Sequence, residues 1–128
     1  MMAQYLAVAA GGAIGAVTRF TCVRAVTALA GPAFPYGTLS VNVLGSLVAG
    51  VLYVRLVEQG AASAPWLGLL IVGFLGAFTT FSAFSVETLR LFEDISIYAA
   101  LTNILLNVSL CLVACGSGLW LTRQFFSA

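Results

Sequence analysis

Charge is scarce in this sequence, and what is missing excludes several classes of protein. Only 7% of the 128 residues are charged and 62% are hydrophobic, whereas a soluble domain carries roughly 25% charged residues. Lysine and histidine are absent, and no acidic residue precedes Glu58. A net charge of +1 offers no basic surface for nucleic acid, which requires clustered cations. The composition therefore excludes an ordinary water-soluble domain and makes DNA or RNA binding an unsupported function.

Parts for hydrolytic or phosphoryl-transfer catalysis are also missing. The chain has no histidine, no phosphate-cradling loop and no nucleophile beside a base, so we predict that it is not an enzyme. Its three cysteines, Cys22, Cys111 and Cys115, lie in apolar stretches without the spacing of a metal site. We interpret them as small core residues.

Four charge-free stretches separate the few charged residues. They cover residues 1–18, 25–54, 59–86 and 95–122, and each provides or nearly provides the roughly 20 apolar residues that cross a bilayer core. We predict an all-α membrane protein with one domain, residues 1–128. Its four transmembrane helices are expected over about residues 3–26, 38–57, 65–92 and 97–123.

Local signals support these helix limits. The first cation is Arg19, so the first stretch lacks the positive start of a signal peptide, and the chain that follows it is still apolar. We therefore expect this stretch to be retained as a helix. Pro65 suits the first turn of the third helix, and Glu93 and Asp94 would sit well near the N-terminus of the fourth. The pairs Gly11-xxx-Gly15 and Ser46-xxx-Gly50 allow helix backbones to approach closely in lipid.

Cations are balanced between the two ends of this arrangement. Arg55 and Arg123 fall on the side of the chain termini, and Arg24 and Arg90 on the other. An excess of Lys and Arg in cytoplasmic loops normally sets orientation, so this balance allows insertion both ways up. We predict dual topology, in which opposite orientations pair as an antiparallel homodimer.

The third helix has a weak centre. Gly73 and Gly76 are followed by Thr79 and Thr80; glycine adds backbone freedom and β-branched threonine crowds the preceding turn. We predict that the helix is broken near its middle. A break there frees carbonyl groups that protein, water or an ion must satisfy. Carbonyl oxygens suit a small hard cation, so a cation site is one open interpretation.

Two aromatic residues follow this weak centre. Phe81 and Phe84 are three residues apart and share a helix face. An aromatic ring has a positive edge, and Thr80, Ser82 and Ser85 place hydroxyl groups beside the two rings. The combination suits a path for an anion, while lipid contact or core packing remains the alternative.

Carboxamides and the deepest charge of each sign, Arg19 and Glu87, also fall inside the predicted spans, where polar groups are costly unless paired. Asn103 and Asn107 lie four residues apart, on a stripe that must face protein or water. Asn42 has two open interpretations. Its side chain either forms a hydrogen bond between helices or offers its amide NH₂ to an anion. Arg19 and Glu87 either snorkel to the interface or face inward, where they pair or form a charged vestibule.

Three motifs occur in order along the chain: GGAIGAVTRF at residues 11–20, GTLSVNVLG at residues 37–45 and GAFTTFSAFSVE at residues 76–87. Together they resemble the motifs of the Fluc family of fluoride channels, also called CrcB proteins. The resemblance implies an antiparallel homodimer with two pores that conduct fluoride passively and reject chloride. Its function would be to export fluoride from the cytoplasm through the bacterial inner membrane, which relieves fluoride toxicity.

The same resemblance implies roles for individual residues. Phe81 and Phe84 would line the pore, and Asn42 would donate to the anion. The whole predicted fluoride pathway consists of Asn42, Thr80, Phe81, Ser82, Phe84, Ser85, Asn103 and Asn107. Backbone carbonyls of Gly76 and Thr79 from both subunits would hold a central, structural sodium ion, and Arg19 and Glu87 match charged positions near the vestibules. Ala83 departs from the family, in which many relatives carry a hydroxyl residue, and the relatives vary at Asn103 and Asn107.

Two other functions are compatible with four short membrane helices. A proton-coupled multidrug or guanidinium exporter needs a membrane-embedded acid in its first helix, and none is present. An assembly subunit without transport activity would have polar residues that face only a partner. A passive channel fits better, because a fluoride pore needs many hydrogen-bond donors, and a buried cation would bind the ion too tightly to release it.

Overall fold

The computed structural model describes residues 1–126 and consists of helices long enough to cross a membrane four times. The first helix, α1, spans Met2–Ala30, and α2 spans Tyr36–Glu58. The third span, Ala64–Asp94, contains α3 (residues 64–78) and α4 (Phe81–Asp94), and the last span is α5, Ile97–Phe126. Two segments have π-helical hydrogen bonding: Tyr53–Glu58 and Gly68–Leu75. The prediction of an all-helical chain with four membrane-length helices is confirmed.

Helix ends follow local chemistry. Gly31 ends α1 with a φ of 85°, and its N–H donates to the carbonyl of Thr27, an arrangement in which glycine carries no Cβ penalty. This end lies beyond the predicted limit at Val26. Pro65 stands in the first turn of α3, as predicted, because proline lacks the N–H that such a position leaves unpaired.

The prediction that Glu93 and Asp94 support the N-terminus of the fourth helix was wrong. Both acids lie in the last turn of α4, because the N–H of Ile95 still donates to the carbonyl of Leu91 at 3.0 Å. Ser96 instead serves the start of α5, where its hydroxyl oxygen accepts from the N–H of Ala99 at 3.1 Å. A hydroxyl at this position satisfies a free helix donor.

Helices α1 and α3 pack backbone against backbone. Gly11 and Gly15 are buried against Leu69 and Phe74. A Cβ atom on Gly73 would lie 2.6 Å from the carbonyl oxygen of Val8, closer than atoms can approach. Small residues allow this approach, as the Gly11-xxx-Gly15 pattern predicts.

Helices α2 and α5 pack in the same way. A Cβ on Gly50 would lie 2.9 Å from the amide nitrogen of Leu119, and one on Gly118 would lie 3.1 Å from that of Val51. The cysteines contribute less to the interior than predicted, since all three are half-buried free thiols within residues 1–126. The backbone of Cys115 lies against Gly50.

The end of the molecule that carries the chain termini is joined by polar contacts. Nε of Arg123 donates to Oε2 of Glu58 at 3.1 Å, and Nη2 of Arg123 pairs with Oε1 of the same carboxylate. Gln59 donates to the carbonyl of Phe126 at 2.9 Å, and the guanidinium of Arg55 lies 4.9 Å from the Phe126 ring. The helix α5 continues to Phe126, beyond the predicted end at Arg123.

The outer surface is apolar along all the spans. Large side chains that are mostly exposed include Leu6, Val17, Leu89, Leu105 and Val113. A soluble monomer rarely exposes a contiguous apolar surface of this size, and hydrocarbon chains cover it without cost. The fold is that of a multi-pass membrane protein.

Candidate functional site

Helical hydrogen bonding stops at Thr79 and Thr80, in the middle of the 31-residue third span. Thr79 has a ψ of 157°, and Thr80 has φ and ψ of −149° and 120°, so both have extended backbone. The side chain of Thr80 accepts from the N–H of Ala83 at 3.1 Å, which caps the start of α4. The chain thus presents backbone polar groups at a depth where lipid offers no partners.

Asn42 on α2 satisfies the backbone of Thr80. Its Oδ1 accepts from the Thr80 N–H at 2.8 Å, and its Nδ2 donates to the Thr80 carbonyl at 3.0 Å. The carboxamide therefore pairs with both polar groups of one residue, as a neighbouring strand would. Nδ2 also donates to Oδ1 of Asn107 at 3.1 Å, so both of its hydrogens have acceptors. Asn42 therefore forms hydrogen bonds between helices, which was the first of the two interpretations of this residue.

Asn103 and Asn107 continue this chain of hydrogen bonds on α5. Nδ2 of Asn107 donates to both the backbone and side-chain oxygens of Asn103, each at 3.0 Å. Asn103 donates to the hydroxyl of Thr88 at 2.9 Å, and that hydroxyl donates to the carbonyl of Phe84 at 2.6 Å. Exposed fractions of 1% for Asn103 and 6% for Asn107 agree with a stripe that faces protein.

The two phenylalanines of α4 are in contact but differ in exposure. Their ring centroids are 5.3 Å apart with planes inclined by 53°, within the range that aromatic pairs favour. The Phe81 side chain is 78% exposed, whereas Phe84 is 9% exposed. Phe84 is held between α4 and its neighbours, and Phe81 projects from the surface of the single chain.

An open groove of about 580 Å³ joins these features. Both rings line it together with Asn42, Asn107 and the Thr79–Thr80 segment, and its wall continues along Gly45, Ser46 and Gly76. Among residues 1–126, none of those that line this groove is charged. An anion in it would therefore meet ring edges, amides and hydroxyls rather than a fixed cation.

The serine hydroxyls next to the rings are used in different ways. Ser85 donates to the carbonyl of Phe81 at 2.8 Å, so its hydrogen is held within the helix. Ser82 is exposed and lies 3.3 Å from the hydroxyl of Thr80. Of the two, Ser82 is better placed to offer its hydroxyl to another group.

The predicted vestibule charges do not pair with each other. Oε1 of Glu87 accepts from the hydroxyl of Thr38 at 2.8 Å, and Oε2 is buried without a hydrogen-bond partner among the described residues. Glu87 borders a second cavity of about 390 Å³ beside the loop at Pro32–Pro35, together with Arg90. Arg19 is half-buried on α1, and within residues 1–126 the ion pairs join Arg90 with Asp94 and Arg123 with Glu58.

Two carbonyl groups at the interruption lose their usual helical donors. The N–H of Thr80, which would donate to Gly76 in a continuous helix, donates to Asn42 instead. The N–H of Ala83, which would donate to Thr79, donates to the Thr80 hydroxyl. Both Gly76 and Thr79 line the groove. Their oxygens are of the hard type that suits a small cation.

Two threonines that bond to predicted site residues, Thr38 and Thr88, were not predicted as site residues from the sequence. Thr38 lies within the second motif, two residues before Ser40, but its bond to Glu87 joins residues 49 positions apart. Thr88 follows Phe84 by four residues, the spacing at which a threonine hydroxyl bonds to the preceding turn. That spacing is a usable signal for Thr88, whereas the partner of Thr38 could be found only in three dimensions.

A family model described as CrcB-like protein, Camphor Resistance (CrcB), matches residues 6–119. Similar curated proteins carry the name Fluoride-specific ion channel FluC. That of Geobacter sulfurreducens is 44% identical over 123 residues, 96% of this chain and 99% of the relative. That of Syntrophotalea carbinolica is 50% identical over 113 residues, 88% of this chain and 92% of the relative.

The protein of the same name from Methylococcus capsulatus is 45% identical over 124 residues, 97% of this chain. The chain spans only about half of that relative, 54% of its length. Each match includes the interrupted third span, and the family match covers all three motifs quoted above. The chain is a member of the CrcB-like protein family.

Proposed function

We propose that this protein is a passive fluoride channel that exports fluoride across the bacterial inner membrane and so relieves fluoride toxicity. The observation that carries the proposal is the uncharged groove, in which the Phe81 and Phe84 rings lie beside amides and hydroxyls at mid-span. The names of its relatives are those of channels and not of enzymes. These features together favour conduction of a small anion.

The chemistry of the groove suits an ion that is small and strongly hydrated. Such an ion gives up its water only where many hydrogen-bond donors replace it, and it must leave again for conduction to continue. Positive ring edges are weak partners for anions. A wall of weak partners without a fixed cation would therefore hold fluoride loosely enough to release it.

The functional unit in this proposal is an antiparallel homodimer with two pores. Phe81 is largely exposed in the single chain, and the groove is open along one side, so a second copy would complete the pore wall. Balanced cations at the two ends favour insertion in both orientations. A reporter fused to the C-terminus is then expected on both sides of the membrane, and its confinement to one side would contradict dual topology.

A structural sodium ion at the centre of the dimer is part of the same proposal. The carbonyls of Gly76 and Thr79 fit this role, since neither accepts from its usual helical donor and both residues border the open face. Two such carbonyls from each copy would supply hard oxygen ligands. The ion would offset the cost of backbone oxygens left without donors in the membrane.

Fluoride efflux from liposomes tests the function. Vesicles that contain the purified protein are loaded with potassium fluoride, and valinomycin is added so that potassium balances the charge. We expect rapid fluoride loss, detected with a fluoride electrode, that does not depend on a pH gradient. Chloride-loaded vesicles should lose chloride no faster than protein-free ones.

Fluoride loss no faster than that from protein-free vesicles would contradict the channel function. Dependence on a proton gradient would point to a coupled exporter instead. A second experiment tests the proposed sodium ion. Efflux by protein that is purified and assayed with potassium as the only alkali cation is compared with efflux by protein that is purified and assayed in the presence of sodium. Slower efflux is expected with potassium alone, and unchanged efflux would argue against sodium.

A further inference from the structure

The three asparagines of the chain form one hydrogen-bonded relay between α2 and α5. The relay runs from the N–H of Thr80 through Asn42, Asn107 and Asn103 to the hydroxyl of Thr88. It ends at the carbonyl of Phe84. Both ends therefore lie on the first turn of α4, the turn that carries the two pore phenylalanines.

Backbone groups set the directions of the Asn42 and Asn107 carboxamides. The Thr80 N–H can only donate, so it must face Oδ1 of Asn42, and this turns Nδ2 towards Asn107. The backbone oxygen of Asn103 can only accept, so Nδ2 of Asn107 faces it at 3.0 Å. Asn107 must then present its Oδ1 to Asn42. A single carboxamide cannot flip without placing donor against donor or acceptor against acceptor.

Asn107 therefore offers the groove an acceptor and not a donor. Its Nδ2 is already bound to two oxygens of Asn103, and only its Oδ1 points to Asn42. Asn42 and Asn107 both line the groove, whereas Asn103 lies behind it. Of the two acceptors on Nδ2 of Asn42, the Thr80 carbonyl is held by the backbone, while Oδ1 of Asn107 belongs to a side chain.

We propose that Oδ1 of Asn107 is a built-in substitute for the transported anion, which occupies one hydrogen of Asn42 in the empty pathway and is displaced when fluoride enters. The proposal rests on the proposed function. It gives Asn107, which was predicted only to lie in the fluoride pathway, the role of a competing acceptor. It makes Asn103 the positioning residue that sets the orientation of Asn107.

This exchange has a physical advantage for conduction. A buried donor left without an acceptor is costly, and a bond to a charged acceptor is stronger than one to a neutral acceptor. Asn107 keeps the donor satisfied before fluoride arrives, and its return helps to release the ion. The bond that fluoride gains is offset by the bond that Asn107 loses, so the site holds the anion less tightly than a free amide would.

Side-chain amide spectra of the wild-type protein test the exchange directly. Labelling with ¹⁵N-asparagine marks only three side-chain NH₂ groups, all of them in the relay. Labelling valine carbonyls with ¹³C identifies the backbone amide of Asn42, because it alone follows a valine. Labelling the asparagine carbons with ¹³C then connects that backbone amide to the side-chain NH₂ of the same residue. During a fluoride titration, one amide proton of Asn42 should move most and the Asn107 pair less. The largest movement at Asn107, or no movement at Asn42, would overturn the proposal.

The conductance of Asn107→Leu provides the second test. A competing acceptor and a direct donor at this position predict opposite changes in the fluoride concentration that half-saturates conductance. Removing the competing oxygen should lower the fluoride concentration that half-saturates conductance by about fivefold, the factor that corresponds to one neutral hydrogen bond. A direct donor role predicts an increase. Thr102→Val is the control, since the Thr102 hydroxyl is exposed on the same helix and bonds only to the Tyr98 carbonyl.

An unchanged or raised half-saturating concentration in Asn107→Leu would overturn the substitute role. If that variant does not fold, the wild-type spectra still decide. The two proposals fail in distinguishable ways. Wild-type protein without fluoride flux would refute the channel function, whereas wild-type flux with an unmoved Asn42 amide would refute only the substitute role of Asn107.

Discussion

Replacing Phe84 by isoleucine should slow fluoride efflux by up to about tenfold while the protein remains folded. Isoleucine keeps an apolar side chain but has no positive ring edge. Contacts between aromatic rings contribute about 0.5–1.5 kcal/mol, and losing an edge contact of that size with the anion would slow conduction by roughly tenfold at the upper limit. The Phe84 side chain is buried beside Phe81 at 5.3 Å and lines the groove. Phe81→Ile is expected to have a similar effect.

Efflux from liposomes at equal protein content gives the measurement, and size-exclusion chromatography shows whether the variant remains assembled. Phe92→Ile is the matched control, because Phe92 lies on the same helix, is exposed and does not line the groove. It should conduct like the wild type. Wild-type flux in both Phe81→Ile and Phe84→Ile would exclude the rings from the pathway.

The second large effect is expected from a single methyl group between α1 and α3. In Gly11→Ala the new Cβ would lie 2.9 Å from the amide nitrogen of Phe74 and 3.0 Å from the carbonyl carbon of Leu69. These are backbone atoms, so the helices must separate to make room. Overpacking of this kind costs about 1–3 kcal/mol of the free energy of unfolding, and we expect a clear loss of thermal stability and of folded yield.

Gly12→Ala is the control on the neighbouring residue. Its Cβ would lie 4.0 Å from the Gly73 carbonyl oxygen, an ordinary contact, and alanine favours a helix over glycine by about 0.5–1 kcal/mol. Gly12→Ala should therefore be as stable as the wild type or more so. Thermal unfolding in detergent, followed by tryptophan fluorescence, compares the two. Equal melting temperatures for both variants would show that α1 and α3 do not depend on this contact.

The transmembrane organisation could be predicted from composition alone. Hydrocarbon has no hydrogen-bonding partners, so a spanning segment must be both helical and apolar, and the charge-free stretches mark such segments directly. The weak centre of the third span was also visible, because two glycines and two threonines stand together between Gly73 and Thr80. These properties depend on local residue chemistry and on the thickness of the bilayer.

Contacts between distant residues could not be predicted in this way. The sequence placed Asn42, Asn103 and Asn107 inside the membrane, yet it left open whether Asn42 binds another helix or an anion. Only the fold brings Asn42 to Thr80 and Asn107, 38 and 65 residues away. Likewise, the pairing of Arg123 with Glu58 joins residues 65 positions apart, a contact that no local pattern indicates.

The sequence by itself thus determined which segments cross the membrane, how few charges they carry and where the third span is weakest. The tertiary structure decided which side chains satisfy the free backbone groups of that weak centre. The physical reason is that each segment that crosses the bilayer must by itself be apolar and helical. A buried carboxamide, in contrast, has two N–H donors and one oxygen acceptor, and their partners depend on how all the neighbouring helices pack.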